Sequence, residues 1–437
     1  MLGRSLAEYL EEAPLSRFHY VLLLIGCLIY GFTGMNVMLI AATVPALIKE
    51  WSLDTATAGL LLSAGYVGMF IGALTCGVLA DLFGRKKVLL LTISTMTVFT
   101  GLCSIAPDAL SMSAIRFLAG IGLGGSLPQP GVYVSEYVPA RYRGRFIGLV
   151  ETAWVYGALL AILFPFVLIP TYGWRLTFLV AFIPLFLVPL VVLFVPESLR
   201  YLDLRGRRDE ALKLLKSKGL IRIEMNGASG GREIRGALRE IWSSTYRNRT
   251  VVLWVSWAVL VYTYHGIFLW LPTIYVKQLG LQIVTSLYWV LIITLMQVPG
   301  YYSATFLLDR IGRKPVLIAY LGVAGVGSFL LSLAKDATSI FVWSGLISFF
   351  NLGAWAGLYT YTPELYPTRI RGTGTGAAAS IGRMAGILAP TVTGFLYFSG
   401  GLPPTFTVFA LAHLIAALSI AFLGIETKSK VLEEISR

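Results

Sequence analysis

The sequence predicts an all-α membrane protein with twelve transmembrane helices in two pseudo-symmetric six-helix bundles. Three observations carry this prediction: an apolar composition, twelve apolar runs of spanning length, and charged motifs repeated at one offset. Of the 437 residues, 57% are hydrophobic and only 13% are charged, which does not describe a water-facing surface. Because a bilayer core about 30 Å thick takes roughly 20 residues per helix, the chain is long enough for twelve crossings. A soluble enzyme with a single anchor is excluded.

The apolar runs form two sets of six, numbered here as spans 1 to 12. They cover residues 19–47, 57–80, 88–106, 109–135, 145–170, 174–195, 250–276, 283–307, 315–334, 338–363, 372–398 and 404–425. The first run has full spanning length, so we expect it to be retained and not cleaved as a signal. The sequence therefore predicts an N-terminal bundle over 1–202, a polar linker over 203–249 and a C-terminal bundle over 250–437.

Lys and Arg residues are distributed unevenly between the ends of the spans. With the N-terminus inside, 29 of the 35 Lys and Arg residues fall in inner segments, two lie within spans, and four lie in outer loops. Both termini are therefore expected in the cytoplasm and the protein in the cell membrane. The net charge of +13 is attributed to topology and contact with anionic lipids, not to nucleic-acid binding.

The sequence contains no pattern typical of metal, redox or nucleotide chemistry. Its three cysteines, Cys27, Cys76 and Cys103, each stand alone in an apolar run, so neither a disulfide framework nor a metal site is predicted. A phosphate-binding loop is absent, which excludes an ATP-driven pump for this chain alone. Glycines 120–125 fit a dinucleotide fingerprint but lie inside span 4, where glycine instead lets helices approach closely. No cofactor and no enzymatic activity are expected.

Two charged motifs recur at an offset of 228 residues. Asp81-Leu-Phe-Gly84-Arg85-Lys86 follows span 2, and Asp309-Arg-Ile-Gly312-Arg313-Lys314 follows span 8. Glu136-Tyr-Val-Pro139-Ala-Arg141-Tyr-Arg143-Gly144 follows span 4, and Glu364-Leu-Tyr-Pro367-Thr-Arg369-Ile-Arg371-Gly372 follows span 10. The halves are therefore copies of one unit in the same orientation. Such parallel repeats are typical of alternating-access transporters, whose site lies near the midplane between the halves.

The repeated motifs lie at the predicted cytoplasmic ends of the spans. Carboxylates and arginines can pair there when the inner face is closed and separate when it opens. We therefore predict a cytoplasmic gate; the alternative is a set of charged turns that only fix topology. The predicted gate consists of Asp81, Arg85, Glu136, Arg143, Glu197, Arg200, Asp309, Arg313, Glu364 and Arg371.

Several segments resemble the signatures of the major facilitator superfamily, on its sugar-porter and organic-ion branch. They are Gly77-Val-Leu-Ala-Asp81-Leu-Phe-Gly84-Arg85-Lys86-Lys87, Arg116-Phe-Leu-Ala-Gly120-Ile-Gly122-Leu-Gly124-Gly125 and Pro196-Glu197-Ser198-Leu199-Arg200-Tyr201. In the C-terminal half, residues 264–272, 297–303, 348–355 and 380–386 resemble the bacterial niacin transporters and the synaptic-vesicle-glycoprotein transporters. The resemblance implies the twelve-helix fold of that superfamily.

The chain departs from the resembled pattern at three positions. The relatives carry two aspartates in the first helix and a glutamate before Leu-Pro in the fourth, where this chain has Thr33, Asn36 and Ser126. With these carboxylates absent, proton-coupled and facilitated transport are both left open.

Arg383 is the leading candidate for binding a solute. It lies about eleven residues, or ~16 Å, into span 11, close to the membrane midplane. An ionisable group at that depth costs roughly 2.5–3.5 kcal/mol and tends to mark a solute path. Its guanidinium can hold a carboxylate through two hydrogen bonds. The alternative is a structural arginine that binds carbonyl groups of a neighbouring helix.

Three residues are predicted to take part in proton coupling. Glu151 is the only carboxylate left within a span, and it is expected to carry a proton unless it pairs with Arg116. For Arg116 the resemblance implies a role in proton-linked conformational change, with a structural role as the alternative. His265 has a side chain that titrates near neutral pH when unperturbed, but hydrogen-bonded packing fits its aromatic surroundings equally well.

Aromatic and amide side chains within the spans point to a small planar solute. Asn351, Trp355 and Tyr359 follow one another at four-residue intervals and are predicted to share a face of span 10. Aromatic rings with a few isolated amides suit a flat molecule oriented by hydrogen bonds. The predicted solute-binding residues are Asn36, Gln129, Trp154, Tyr264, Gln297, Asn351, Trp355, Tyr359 and Arg383.

These observations predict a monomeric secondary active transporter of a small organic anion, such as nicotinate, that works by alternating access with proton coupling. The alternative within transport is a uniporter, or a carrier of a neutral or cationic solute or a sugar. A channel would need a continuous polar stripe, and a membrane enzyme would need a clustered nucleophile and base; the sequence shows neither. A receptor or scaffold without transport activity is the remaining alternative.

Overall fold

The computed structural model describes residues 14–218, 220, 237–367 and 370–428. Within these residues, eleven helical segments are long and apolar enough to cross a membrane. Ten of them correspond to one predicted span each, while the segment Arg141–Phe194 covers spans 5 and 6. Its 54 residues would reach about 80 Å at 1.5 Å per residue, far more than one bilayer core. This segment therefore accounts for two crossings, and the total is twelve.

The first half contains spans 1 to 6. Its helices are Arg17–Trp51, Thr55–Phe83, Arg85–Leu102, Ala109–Ser126 with Gln129–Tyr137, Ala140–Leu179 and Leu187–Phe194. Span 4 is divided into two helices at Leu127 and Pro128, which keep helical backbone angles. The division arises because the ring of Pro128 removes a backbone donor from the helical hydrogen bonds. The stretch Ala140–Leu179 breaks at Gly173, where φ is 76°, so it comprises span 5 and the beginning of span 6.

The second half contains spans 7 to 12. Its helices are Arg247–Leu279, Ile283–Leu295 with Gln297–Ile311, Arg313–Ser332, Ala337–Glu364, Arg371–Gly400 and Leu402–Leu423. Between the halves lie three short helices, Leu199–Leu204, Arg208–Ser217 and Ala237–Glu240. Much of the predicted linker, residues 219 and 221–236, lies outside the described residues.

The packing of the spans repeats between the halves. Spans 1 and 5, 2 and 4, and 3 and 6 pack together in the first half, as do spans 7 and 11, 8 and 10, and 9 and 12 in the second. Across the halves, span 2 packs on span 11 and span 5 on span 8. Since each contact has a counterpart six spans away, the halves are related by an approximate two-fold axis, which parallel repeats require.

Helix caps repeat at the same offset as the charged motifs. Asp108 caps span 4 by accepting from the Ser111 N–H at 2.8 Å, and Asp336 caps span 10 by accepting from the Ser339 N–H at 2.9 Å. These backbone hydrogen bonds hold the pKa of both aspartates below its ordinary value. The positions differ by 228 residues, so the caps are a third repeated feature, which the sequence analysis missed.

Candidate functional site

A cavity of about 380 Å³ lies between the two halves. Spans 1, 2, 4 and 5 contribute to its wall, and so do their counterparts, spans 7, 8, 10 and 11. Its volume lies in the range of sites for small organic ligands, and an apolar lining with few polar groups is also typical of them. The cavity therefore occupies the place that the repeat predicts.

The cavity extends toward one end of the bundle and is closed at the other. We call the end that carries the repeated charged motifs the motif end. The cavity reaches Pro363, the residue next to Glu364 of the motif. At the opposite end the halves are in contact, because Ser63 Oγ donates to the Ile387 carbonyl at 2.8 Å and lies 2.8 Å from Thr391 Oγ1.

Arg383 and Glu151 face the cavity from opposite halves. Neither side chain has an ion pair or a hydrogen bond within the part of the chain that the structure describes. Tyr359 lies near both charges, and its hydroxyl is 3.1 Å from that of Tyr30. A cation and a carboxylate without partners among the described residues thus share one cavity that is rich in aromatic side chains.

Four of the predicted aromatic residues line the cavity: Trp154, Tyr264, Trp355 and Tyr359. Trp154 Nε1 donates to the Tyr264 hydroxyl at 3.0 Å, which joins spans 5 and 7 across the two halves. The rings of Trp355 and Tyr359 pack together with centroids 5.5 Å apart. These flat apolar surfaces favour a planar solute.

No signal in the sequence separates the other aromatic residues of the cavity from residues facing lipid. Tyr30, Tyr66, Trp257 and Tyr301 also line it, although the sequence analysis did not select them. Each is an aromatic residue in an apolar span, as are many residues that face outward.

The four predicted amides do not line the cavity. Asn36 and Asn351 are fully buried, and Gln129 and Gln297 are nearly so. Gln297 Oε1 accepts from the Tyr264 hydroxyl at 3.3 Å, so it lies behind the cavity wall. In this conformation the amides face the protein interior, and their contact with a solute stays a prediction.

The rotation of span 10 explains why Asn351 does not line the cavity beside Trp355 and Tyr359. A step of four residues turns a helix by about 400°, so each step drifts roughly 40° around the axis. Asn351 is therefore rotated well away from Tyr359, and Leu352 lines the cavity in its place. The Nδ2 group of Asn351 donates to Thr263 Oγ1 at 2.9 Å and lies 3.0 Å from His413 Nε2.

Arg116 lies outside the cavity and is only 2% exposed. It donates to the carbonyl oxygens of Asn36 at 3.1 Å and Val37 at 3.4 Å, and so connects span 4 to span 1. It forms no ion pair with Glu151, since Glu151 is unpaired among the described residues. This geometry fits the structural role that was the alternative for Arg116. A role of Arg116 in proton coupling stays a prediction.

Two of the three positions that depart from the resembled pattern are in contact. Thr33 Oγ1 lies 3.1 Å from Ser126 Oγ, and both side chains are fully buried. A neutral hydroxyl pair therefore stands between spans 1 and 4. Neither residue can carry a proton as a carboxyl group would.

The charged motifs form ion pairs within each half. Arg85 pairs with Glu136 in the first half, and Arg313 pairs with Glu364 at 3.1 Å in the second. Ser198 Oγ donates to Glu136 at 2.6 Å, and Thr427 Oγ1 donates to Glu364 at 2.5 Å. The two clusters are counterparts, and each joins the ends of neighbouring spans in one half.

The other predicted gate residues lie around these clusters. Asp309 is exposed and lies 3.3 Å from Arg313, while Asp81 is exposed. Arg143 and Arg371 each donate to a backbone carbonyl at 3.4 Å. The side chain of Arg200 lies outside the described part of the chain. Opening and closing of these contacts stays a prediction.

Glu426 is a member of the second cluster that the sequence analysis missed. It accepts from the backbone N–H groups of Arg313 and Lys314, both at 3.0 Å, as Glu197 accepts from the Lys86 N–H at 3.0 Å. The signal was present in the sequence, because Glu-Ser at 197 is followed by Glu-Thr at 426. Its offset of 229 instead of 228 concealed it.

The repeated glycine of the first motif is required by these carboxylates. Gly84 and Gly312 have φ of 102° and 108°, which only glycine adopts readily. A Cβ at either position would also lie 2.5 Å from a carboxylate oxygen of Glu197 or Glu426. The motif thus brings a helix start and a carboxylate together.

Replacing Glu426 by glutamine is expected to destabilise the fold by about 1–2 kcal/mol at neutral pH. Burial on its own would raise the pKa of Glu426, but the N–H groups of Lys428, Arg313, Lys314 and Thr427 outweigh it and hold the pKa below the ordinary 4.5. The stabilisation is therefore complete above the ordinary pKa and is lost as the pH falls through the lowered one.

Thermal unfolding in detergent at neutral and acidic pH measures this effect. The melting temperature of Glu426→Gln should lie below that of the wild type at neutral pH, and the gap should narrow in acid. Glu210→Gln is the matched control, because Glu210 is an exposed carboxylate outside the spans. A gap that persists unchanged in acid would contradict the assignment.

The described residues contain no group of three His, Cys, Asp or Glu side chains placed to hold a metal ion. The polar groups of the cavity are instead a guanidinium, a carboxyl, an imidazole and hydroxyls. This set can bind an organic molecule by hydrogen bonds and charge without a metal.

Comparison with known proteins assigns this architecture to a family. Residues 28–437 match the family described as Sugar (and other) transporter. The niacin transporter of Acinetobacter baylyi is 40% identical over 439 residues, which cover 99% of each chain. The gallate transporter of Pseudomonas putida is 30% identical over 95% of this chain and 94% of its own.

A solved structure shows the same fold. The partially occluded inward-open conformation of the xylose transporter XylE from E. coli superposes with a TM-score of 0.76, covering 95% of this chain and 100% of that one. Its sequence identity of 20% makes it evidence for the fold alone. The predicted twelve-helix architecture is confirmed.

Proposed function

Because the chain belongs to the sugar (and other) transporter family of the major facilitator superfamily, we propose that it carries an aromatic or heterocyclic carboxylate by alternating access. The observation that carries this proposal is Arg383, an unpaired cation in an aromatic cavity between the halves. A solute carboxylate would supply the missing anion and could accept two hydrogen bonds from its guanidinium. Niacin and gallate, named in the two relatives, are aromatic carboxylates of this kind.

The proposed cycle follows from where the halves touch. We take the motif end to be cytoplasmic and the membrane to be the plasma membrane, because the distribution of Lys and Arg supports this orientation. In that orientation the described conformation would be inward-facing. The bundles at 1–202 and 250–437, joined by 203–249, would rock about the cavity. The ion-pair clusters would act as the cytoplasmic gate, and the contact of Ser63 with Thr391 would separate in the outward-facing state.

Gly59→Leu is expected to slow transport several-fold while preserving binding from the outside. A Cβ at Gly59 would lie 3.0 Å from Thr391 Cα, so a larger side chain opposes closure of spans 2 and 11. Gly77→Leu is the matched control on span 2, since a Cβ there meets nothing within 4 Å. Equal uptake rates for the two variants would contradict the proposed closure.

Facilitated transport is the second candidate, and one observation favours it. The buried contact between Thr33 and Ser126 is neutral where the resembled family carries acids. If no other group takes over, the protein would move its solute down the gradient without a proton. Glu151 is the group that decides between these candidates.

Uptake by proteoliposomes tests the proposal. Labelled nicotinate, benzoate and gallate would be offered with and without an imposed pH gradient, beside a sugar and an organic cation as negative controls. We expect saturable uptake of at least one aromatic carboxylate and none of the sugar. Uptake of the sugar or the cation with no uptake of any acid would overturn the proposal.

A further inference from the structure

All three histidines of the chain are buried. Two of them make the same kind of contact with the backbone carbonyl four residues earlier in their own helix. His265 Nδ1 lies 2.9 Å from the Val261 carbonyl oxygen, and His413 Nδ1 lies 2.8 Å from that of Phe409. Because a carbonyl oxygen can only accept, Nδ1 must carry a proton in both rings. In a neutral imidazole with this tautomer, Nε2 is a hydrogen-bond acceptor.

The two histidines differ in what meets that acceptor. At His413, the Asn351 Nδ2 group lies 3.0 Å from Nε2 and donates a hydrogen bond to it. At His265, no described residue forms a hydrogen bond to Nε2, and the residue lines the cavity. The matching contact at His413 shows what His265 lacks, which is a donor.

The neighbours of His265 do not supply this donor. Its ring packs edge-on against Tyr66 at 5.0 Å and Trp154 at 6.3 Å between ring centroids. Trp154 Nε1 already donates to Tyr264, whose hydroxyl donates to Gln297. Among the described residues, the hydroxyl of Tyr66 has no partner and forms no hydrogen bond with the imidazole.

The other free groups of the cavity suit the opposite end of a solute. Arg383 and Trp355 line the cavity, and the guanidinium and the buried Trp355 Nε1, which has no partner among the described residues, are donors. A carboxylate can accept hydrogen bonds from donors of this kind. Since a carboxylate has no proton to give, it leaves the acceptor of His265 unfilled. Glu151 is another acceptor that lines the cavity, and it is the predicted proton carrier.

We propose that His265 binds a hydrogen-bond donor on the ring of the solute. This rests on the proposed function and narrows its solute class to aromatic carboxylates that also carry an O–H or N–H group. A site built to receive such a donor rejects the analogue that lacks it, because the buried acceptor then has no partner. We expect a preference on the order of tenfold.

Four acids of similar size separate the possibilities. Benzoate carries no second polar group, nicotinate carries an acceptor at neutral pH, and the meta and para hydroxybenzoates carry a donor. Their dissociation constants would be measured on the purified protein by calorimetry or by displacement of a labelled acid. The better hydroxybenzoate should bind about tenfold tighter than benzoate, and nicotinate should resemble benzoate.

Variants of both histidines locate the effect. His265→Phe should bring the hydroxybenzoate and benzoate constants together, while His265→Gln, whose Oε1 can accept, should keep part of the preference. His413→Gln is the matched control, because it alters a similar buried histidine away from the cavity and should keep the wild-type ratio. If His265→Phe does not fold, the inference is tested by the ratio of the hydroxybenzoate and benzoate dissociation constants in the wild-type protein and in His265→Gln.

Equal binding of benzoate and both hydroxybenzoates by the wild type overturns the inference, and so does a ratio that survives in His265→Phe. Neither result affects the proposed function, because the acids would still bind. The failure of every aromatic acid to bind would overturn both, and this outcome is distinguishable from the first two.

Discussion

Replacing Arg383 by alanine is expected to abolish binding and uptake of an aromatic carboxylate. The guanidinium is the cation that lines the cavity, and within the described residues it has no anion of its own. Two charge-assisted hydrogen bonds contribute about 3–5 kcal/mol, so affinity should fall by roughly two to four orders of magnitude. Arg383→Lys should retain the charge but lose the two-pronged geometry, leaving partial activity.

The neighbouring residue provides the control for this experiment. Met384 lies on the same helix and is 51% exposed, so Met384→Ala tests whether any substitution in span 11 disturbs transport. Dissociation constants and initial uptake rates would be compared for both variants at equal folded protein. Wild-type transport by Arg383→Ala would reduce Arg383 to a structural role and remove the main support for an anionic solute.

The fold was predictable because its signals extend over many residues. Spans of about 20 apolar residues follow from bilayer thickness alone, and motifs at a constant offset of 228 establish two copies in one orientation. The least regular part was the join of spans 5 and 6. There the apolar run is nearly continuous, and a single glycine, Gly173, turns the chain.

The candidate site was predictable where a residue is costly at its position. Arg383, Glu151 and His265 are ionisable groups in apolar spans, and all three line the cavity. Placing such a group toward lipid is expensive, so the interior is its expected location. The same argument does not say whether the interior position is a cavity or a protein contact, as the buried Arg116 shows.

The positions of the amides were predicted less well, because the hydrogen-bonding groups of a buried amide can be satisfied either by a solute or by a neighbouring helix. Asn351 and Gln297 are polar groups in apolar helices, and each finds a hydrogen bond from another span. Whether an amide meets a solute or a neighbouring helix depends on the rotation of its helix. Sequence spacing constrains this rotation only over short distances, since each four-residue step drifts by about 40°.

Glu151→Gln is expected to preserve exchange of solute while removing accumulation driven by a pH gradient. Exchange needs only that the loaded carrier reorient, whereas accumulation needs a group that binds a proton on one side and releases it on the other. Glu151 faces the cavity, is not held by Arg116, and has no partner among the described residues. A glutamine of nearly the same shape keeps the polar contacts but fixes the site in a neutral state.

The measurement is uptake of a labelled acid into proteoliposomes with an imposed pH gradient, beside counterflow exchange at equal pH. Glu210→Gln serves as control because this exposed carboxylate lies outside the spans, paired with Arg207, and should leave both activities unchanged. A monovalent anion that moves with one proton carries no net charge, so the pH gradient should drive uptake and the membrane potential should not. One net charge would respond by about 2.3 kcal/mol per 100 mV.

The outcome decides between the two modes of transport. If the wild type shows no accumulation in a pH gradient, the neutral residues Thr33, Asn36 and Ser126 mark a protein without proton coupling, and the facilitated mode is correct. If Glu151→Gln still accumulates solute, the proton uses another group, and His265 is the next to test. A loss confined to pH-driven uptake would assign the proton to Glu151, because a general disturbance of the cavity would lower exchange as well.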